Sequence, residues 1–183
     1  MNGAGTSRTE SGVTTHTRGF PTGDDAEGRQ AAITTGNTTT GATPLGTFLY
    51  NADGALVARK TLAGGTVTAT THYAGGIYER DLSAGTGKRY YAFGGRLVAQ
   101  RDGLTQANGT GTVTFLHQDH LGSTSLQTNA VTGTYAAHSF RGPFGQSLPQ
   151  SWASGGTLGT DLQYTGQRSF EGGLGSVMHY GAR

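Results

Sequence analysis

The sequence has no cysteine and few charged residues, and each shortage excludes a class of protein. Without cysteine the chain has no disulfide framework, no thiol nucleophile and no cysteine-based zinc site. Charged residues make up 13% of the 183 residues, against ~25% in ordinary globular proteins. Because so few ion pairs are available, a helical bundle with salt bridges along its surface is excluded.

Long apolar runs and clusters of basic residues are absent as well. No apolar segment approaches the roughly 20 residues that span a bilayer, and residues 1–30 lack the apolar core of a signal peptide. The net charge of +2 comes from scattered residues, whereas nucleic-acid binding is typically marked by a basic patch. The sequence therefore predicts neither a membrane span nor a nucleic-acid partner.

Glycine is abundant instead, with 33 residues, while proline occurs 4 times. A glycine inside a helix costs roughly 0.5–1 kcal/mol relative to alanine, so this density disfavours long helices. Threonine, tyrosine, phenylalanine and valine favour strands, and glycine favours turns. The composition predicts an all-β fold.

Two regions of the chain differ in composition. Residues 1–45 are a low-complexity segment rich in Gly and Thr, with few large apolar residues such as Val13, Phe20 and Ile33. Such a segment buries too little apolar surface to offset the entropy of ordering it. We expect a flexible, disordered N-terminal tail with at most a helical turn or two at residues 24–33, followed by a β region over 46–183.

The β region reads as a series of hairpins. Asp53-Gly54 lies between two apolar runs, which is a strong hairpin signal. Residues 66–73 alternate between the two faces of a strand, and Gly75-Gly76 and Gly94-Gly95 mark further reversals. Large anchors recur at intervals of roughly 20 residues, the spacing of stacked supersecondary units: Tyr50, Tyr73, Tyr91, Leu116, Phe140, Tyr164 and Tyr180.

The densest group of chemically active residues is His117, Asp119 and His120. Histidine and carboxylate suit zinc or iron, but no spacing pattern supplies a third and fourth ligand. The simpler interpretation is a turn in which Asp119 accepts backbone hydrogen bonds and His120 packs under the hairpin. A metalloenzyme hypothesis stays open and requires a third ligand close to His117 and Asp119.

The sequence signals for other kinds of functional site are weaker. No Gly-x-Ser-x-Gly elbow exposes a serine nucleophile. Gly85-Thr86-Gly87-Lys88 lacks the spacing of a phosphate loop and is expected to form a flexible loop. The tyrosines, the phenylalanines and the single Trp152 would suit a sugar-stacking platform, although repeated tyrosines are also ordinary packing residues of sheets.

Several motifs resemble those of Rhs (rearrangement hotspot) proteins. Residues 50–59, 72–80 and 90–99 look like variants of one YD repeat, in which a tyrosine precedes a turn and a Leu-Val or similar strand. Four further motifs follow in the order seen in the core-associated region of this family: Asp119-His120-Leu121-Gly122-Ser123, Pro143-Phe144-Gly145, Tyr164-Thr165-Gly166-Gln167 and Tyr180-Gly181-Ala182-Arg183. The resemblance covers residues 47–183.

The resemblance implies consecutive antiparallel β-hairpins forming a curved strip, part of a YD-repeat β-cocoon shell. In bacteria such a shell encloses a C-terminal toxin used against competing cells, and in animals teneurins use a similar shell in adhesion. Family members are secreted or exposed at the cell surface, and they usually continue into a plug and a toxin, which we expect to be missing here. Two motifs depart from the family pattern, at Arg141-Gly142 and at residues 175–179.

The sequence thus predicts a non-catalytic structural segment without a cofactor or a metal. Its expected partners are the remainder of the shell and the toxin; the alternative is a cell-surface adhesion or carbohydrate-binding module that binds surface glycans. The residues assigned to the architecture by the resemblance are Asp119, His120, Leu121, Gly122, Ser123, Pro143, Phe144, Gly145, Tyr164, Gly166, Tyr180, Gly181 and Arg183.

Overall fold

The computed structural model describes residues 9–10, 13–14, 25–35, 43–106, 109–145, 148, 158–170 and 178–179. The strands in these ranges are β1 (Thr9–Glu10), β2 (Val13–Thr14), β3 (Ala32–Thr35), β4 (Thr43–Tyr50), β5 (Leu56–Ala63), β6 (Thr66–Ala74), β7 (Tyr78–Asp81), β8 (Thr86–Phe93), β9 (Arg96–Thr105), β10 (Thr112–Gln118), β11 (Thr124–Asn129), β12 (Tyr135–His138), β13 (Arg168–Ser169) and β14 (Met178–His179), and Tyr164–Gly166 form a 3-10 turn.

Ten strands, β3 to β12, form one antiparallel sheet in which strand order follows chain order. The predicted all-β class with consecutive antiparallel strands is confirmed. Within the described ranges, no helix is long and apolar enough to cross a membrane.

Paired glycines turn the chain between several neighbouring strands. Gly64-Gly65, Gly75-Gly76 and Gly94-Gly95 all have positive φ, between 58° and 81°. Hairpin turns with positive φ at both central residues match the twist of the strands, and glycine adopts them without steric cost. The predicted Asp53-Gly54 hairpin also forms, with Gly54 at φ 80° and Asn51 Oδ1 accepting the Ala55 N–H at 2.8 Å.

The chain divides into two compact units. The first unit comprises residues 1–73, 81–84 and 170–183, and the second comprises residues 74–80 and 85–169. In the first unit the buried core contains Ile33, Phe48, Tyr50 and Phe170. In the second unit it contains Tyr90, Leu116 and Leu162.

Ordered pairing begins inside the segment that we expected to be a disordered tail. Ala32–Thr35 form β3, which pairs with β4, and Ile33 is 2% exposed. The expected helical turns at residues 24–33 are wrong for the described part, residues 25–33: Asp25 instead closes a tight turn by accepting the N–H groups of Glu27 and Arg29 on Oδ1. A short side-chain acceptor offers the backbone an alternative to the helix, and Ile33 finds a buried partner surface on β4.

Two connections in the second unit also differ from expectation. The polar connector expected from residue 102 begins later, because β9 continues to Thr105, which pairs with Thr86. The Gly85-Thr86-Gly87-Lys88 segment, expected to be a flexible loop, instead contributes Thr86, Gly87 and Lys88 to β8. Gly87 fits there because a Cβ at its position would lie 2.6 Å from the Tyr78 hydroxyl oxygen.

Candidate functional site

Asp119 organises the turn between β10 and β11 in the second unit. Its Oδ1 accepts the N–H of Leu121 at 2.8 Å and the N–H of Ser123 at 2.9 Å. Its own N–H donates to the Ser123 carbonyl at 2.9 Å, and Gly122 completes the reversal at φ 83°. Asp119 is therefore a turn former, as its position at the end of a strand indicates.

The Tyr164–Gly166 turn packs against the Asp119 turn. Ser123 Oγ accepts the Thr165 N–H at 3.1 Å, and Thr124 Oγ1 donates to the Leu162 carbonyl at 2.8 Å. Thr165 has φ 50°, the left-handed region that a β-branched residue rarely adopts. Ser123 and Thr124 are 2% and 1% exposed, so these hydrogen bonds are shielded from water.

The Pro143-Phe144-Gly145 motif closes on the same turn. The Tyr164 hydroxyl donates to the Pro143 carbonyl at 2.5 Å. Gly145 has φ 81°, and a Cβ there would lie 2.8 Å from Cδ1 of Tyr164, which leaves room for glycine alone. Residues 119–124, 143–145 and 163–166 together form what we call the motif corner.

Other predicted motif residues lie away from these contacts. Leu121 is 54% exposed and Phe144 is 90% exposed. His120 is exposed too, so the expectation that it packs under the hairpin is wrong; the tight Asp119 turn directs it outward. Tyr180, Gly181 and Arg183 lie outside the described residues.

The metal hypothesis gains no ligand set from the described residues. His117 Nε2 lies 2.9 Å from Thr128 Oγ1, and Asp119 Oδ1 is engaged by backbone N–H groups. Across the described ranges, no group of three His, Asp or Glu residues is placed to hold a metal ion.

An extended segment, residues 158–163, lies against polar side chains of the second unit, and we call it the strap. The Gly159 carbonyl accepts hydrogen bonds from Lys88 Nζ at 2.7 Å and Gln100 Nε2 at 3.0 Å. The Gly159 N–H donates to Gln127 Oε1 at 2.8 Å. Side chains of β8, β9 and β11 therefore bind the main chain of the strap directly.

A buried carboxylate lies on the same face of the sheet. Glu79 is 5% exposed; its Oε1 accepts the Tyr90 hydroxyl at 2.6 Å, and its Oε2 accepts a hydrogen bond from Arg168 Nη1. Burial, together with the negative charge of Glu79, raises the pKa of Tyr90. The hydroxyl therefore remains a donor to Glu79 under ordinary conditions.

Lys88 lies between two carboxylates. Its Nζ is 3.8 Å from Glu79 Oε1 and 3.6 Å from Asp102 Oδ1. Gln100 Nε2 donates to Asp102 Oδ2 at 2.7 Å. Burial raises the pKa of Asp102 above its ordinary value, and the opposing effect of Lys88 is smaller.

Sequence reasoning missed this set of polar residues. It took Tyr91 as the anchor of β8, whereas Tyr90 is the one that is 2% exposed. The available signal was alternation, since Lys88 and Tyr90 are two residues apart and must share a face of the strand. Glu79 and Arg168 are separated by 89 residues, and no local pattern connects them.

The first unit contains an aromatic cluster that includes the C-terminal strand. The Phe170 ring stacks on Phe48 with ring centroids 5.1 Å apart, and His179 stacks on Tyr50 at 5.8 Å. The guanidinium of Arg59 lies 4.9 Å from the centre of the Phe170 ring.

A sugar-stacking platform would need exposed aromatic rings. Tyr50, Tyr73 and Tyr90 are at most 9% exposed and act as packing residues, whereas Phe93 and Phe144 are 81% and 90% exposed. Trp152 lies outside the described residues.

No protein-family model matches the chain, and no curated protein matches it. Solved structures do resemble it. The TcdB2-TccC3 crystal structure has a TM-score of 0.63 and 14% identity over 94% of this chain. The Photorhabdus luminescens Tc holotoxin pore with the TccC3-D651A mutation has a TM-score of 0.64 and 15% identity over 97%. The TcdB2-TccC3-Cdc42 structure has a TM-score of 0.61 and 14% identity over 87%.

These likenesses establish a shared fold. In each of the three structures the matched part is 8% of the other chain, so this chain spans about a twelfth of their length. The fold of the described sheet is therefore one that occurs within Tc toxin complexes.

Proposed function

We propose that this chain is a wall segment of an Rhs-type, YD-repeat shell that encloses a toxin and keeps it inactive until delivery. The toxin would serve in competition between bacteria, and the complete protein would be secreted or exposed at the cell surface. In this role the segment is a barrier without a cofactor, and it acts on no external substrate. Its partners are the remaining shell and the enclosed toxin.

The motif corner is the observation that carries this proposal. Three motifs of the Rhs type, separated by tens of residues along the chain, meet through Ser123, Tyr164 and Gly145. Conformational demands explain the residue types, because Gly122 and Gly145 have positive φ and Tyr164 fills the space that a side chain at position 145 would need. The likeness to Tc toxin structures supports the same fold independently of these motifs.

The sheet supports the role of a wall. Successive strands pair with their neighbours in chain order, so further hairpins on either side would extend the same surface. An isolated sheet edge is an aggregation hazard unless it is covered. The neighbouring strands of a longer shell would cover it.

The test uses the complete reading frame that contains this chain. The full-length protein is purified and treated with protease, and digestion of the part that follows this chain is monitored by mass spectrometry. A shell protects that part until denaturant opens it; complete digestion under native conditions would contradict enclosure. A competition assay against a strain lacking the adjacent protective gene then tests the toxin, and equal survival with and without the reading frame would contradict that role.

A further inference from the structure

The most reactive arrangement outside the motif corner is a primary amine beside a carboxyl group. Lys88 on β8 and Asp102 on β9 lie two residues from Tyr90 and Gln100, which are paired across these strands. Side chains two residues apart share a face of a strand. Lys88 Nζ and Asp102 Oδ1 are accordingly 3.6 Å apart, a separation from which a small side-chain rotation reaches bonding distance.

A third group, Glu79, lies beside the amine and is placed to accept its proton. Glu79 Oε1 lies 3.8 Å from Lys88 Nζ. Glu79 is held in position by the Tyr90 hydroxyl and by Arg168, and at 5% exposure it is shielded from competing water. A carboxylate placed beside a reacting amine can act as a general acid–base catalyst.

A fourth group stabilises the charge that would form on the carboxyl group. Gln100 Nε2 donates to Asp102 Oδ2 at 2.7 Å, and Gln100 is 1% exposed. When an amine adds to a carboxyl carbon, negative charge develops on the oxygen, and a preorganised N–H donor stabilises it. The remaining oxygen, Oδ1, faces Lys88 and is the one that would leave.

We propose that Lys88 and Asp102 condense spontaneously to an isopeptide bond that links β8 covalently to β9. A proton first passes from the Lys88 ammonium to the Asp102 carboxylate, which gives a neutral amine and a neutral acid. Nζ then adds to Cγ; Glu79 takes a proton from Nζ and returns it to Oδ1. The Cγ–Oδ1 bond breaks, one water leaves, and no oxidant or other reactant is consumed.

Burial favours the neutral carboxyl group that this reaction needs. Burial raises the pKa of Asp102, so the carboxyl group is more readily protonated than an exposed one. The side chains of Lys88 and Asp102 are 21% and 34% exposed, which leaves a path for the released water. Lys88 also donates to the Gly159 carbonyl at 2.7 Å, and this contact fixes the amine beside Asp102.

Mass spectrometry of the intact, purified chain after incubation at neutral pH tests the proposal. The crosslinked chain is lighter than its sequence by the mass of one water. Trypsin does not cleave after an acylated lysine, so peptide 81–89 is recovered joined to peptide 102–141. An intact mass equal to that of the sequence, with peptides 81–88 and 102–141 recovered separately, overturns the proposal.

Three variants assign the roles of the reacting groups, and a fourth, Lys60→Arg, is the control. Lys88→Arg keeps the charge but has no primary amine, so the mass loss disappears; Lys60→Arg changes the only other lysine of the sequence and leaves the mass loss intact. Asp102→Asn releases ammonia instead of water and yields the same linked peptide. Glu79→Gln slows linkage by at least tenfold in a time course, whereas unchanged linkage would remove Glu79 from the reaction.

Discussion

The two units bury different kinds of side chain. In the first unit, Phe48, Tyr50, Phe170 and His179 make ring contacts. In the second, Glu79, Gln100, Gln127 and Arg168 are buried and exchange hydrogen bonds with hydroxyl, carbonyl and amide groups. Ring packing is tolerant of small shifts, while a buried polar network is stabilising only if its members remain satisfied.

This difference shows how one sheet architecture accommodates two kinds of interior. The strands and turns repeat along the chain, but the buried side chains differ according to the segment that packs on them in each unit. Phe170 covers an apolar surface in the first unit. The strap presents main-chain N–H and C=O groups in the second, and these need polar partners.

Replacing Glu79 tests the polar interior and has the largest expected effect. Glu79→Leu removes the buried counter-charge of Arg168 and should lower the free energy of unfolding by about 3–5 kcal/mol. The double variant Glu79→Leu/Arg168→Met removes both charges and should recover much of that loss, as measured by urea denaturation. If single and double variants are equally unstable, the ion pair does not account for the loss. Glu27→Gln is the control: Glu27 pairs with Arg29 at 3.0 Å but is 64% exposed, so an effect below ~1 kcal/mol is expected.

Gly145→Ala tests the close fit of the motif corner. The added methyl group meets the Tyr164 ring at 2.8 Å and also requires φ 81°, so a cost of about 2–3 kcal/mol is expected. Gly122→Ala is the matched control, because its φ is 83° with nothing within 4 Å of the new Cβ. Equal losses for the two variants in urea denaturation would show that the ring contact contributes nothing.

Phe170→Leu tests the aromatic interior of the first unit. The ring is 1% exposed and contacts Phe48 and Arg59, so its loss should cost about 1–2 kcal/mol in transfer energy and residual cavity. Phe93→Leu, at an 81% exposed position, is expected to change stability by less than ~0.5 kcal/mol. The comparison between the units fails if the loss of unfolding free energy in the Phe170 variant depends strongly on ionic strength.

Two aspartates provide the test with the smallest expected effect. Their contributions to stability should change with pH in opposite directions. Desolvation acts to raise the pKa of Asp25, but hydrogen bonds and charge from Arg29 outweigh it and lower the pKa below 3.8; Asp25 therefore stabilises the fold above that pH and loses this contribution as the pH falls. Burial raises the pKa of Asp102 above 3.8. The neutral carboxyl group is therefore the form that the fold favours, and stability is lost as the pH rises and the group ionises.

Asp25→Asn should consequently destabilise the chain at neutral pH, and Asp102→Asn should stabilise it. Both differences should vanish in strong acid, where wild-type carboxyl groups are neutral. Thermal unfolding across a pH series measures both, with each change made in the Lys88→Arg background to prevent crosslinking. Parallel pH profiles for the two variants would contradict the opposite environments of these residues.

Much of this fold could be predicted where the determinants are local. Gly-Gly pairs and Asp53-Gly54 marked turns because their backbone conformation admits few other residues. Asp119 was identified as a turn former because its side chain can accept hydrogen bonds from the backbone that follows it. These features depend on a few consecutive residues and not on what packs against them.

The interior could not be predicted because it depends on register and on distant partners. Simple alternation along β9 would place Leu97 on the face of Ala99 and Arg101, but the register shifts between Tyr91 and Ala92. Leu97 packs with Tyr90 and Leu116 instead. One extra residue in a strand inverts the alternation that follows. The resemblance supplied the motifs of the corner, while the Lys88–Asp102–Glu79 arrangement required three strands in place.

The match between strand order and chain order has a consequence for how the protein is made. Neighbouring hairpins need contacts between residues that are close in sequence, so they can form early and quickly as the chain leaves the ribosome. Glu79 meets Arg168 only after 89 further residues have been synthesised. Closure of the polar interior is therefore a late event in biosynthesis, and until then its charged groups remain in contact with water.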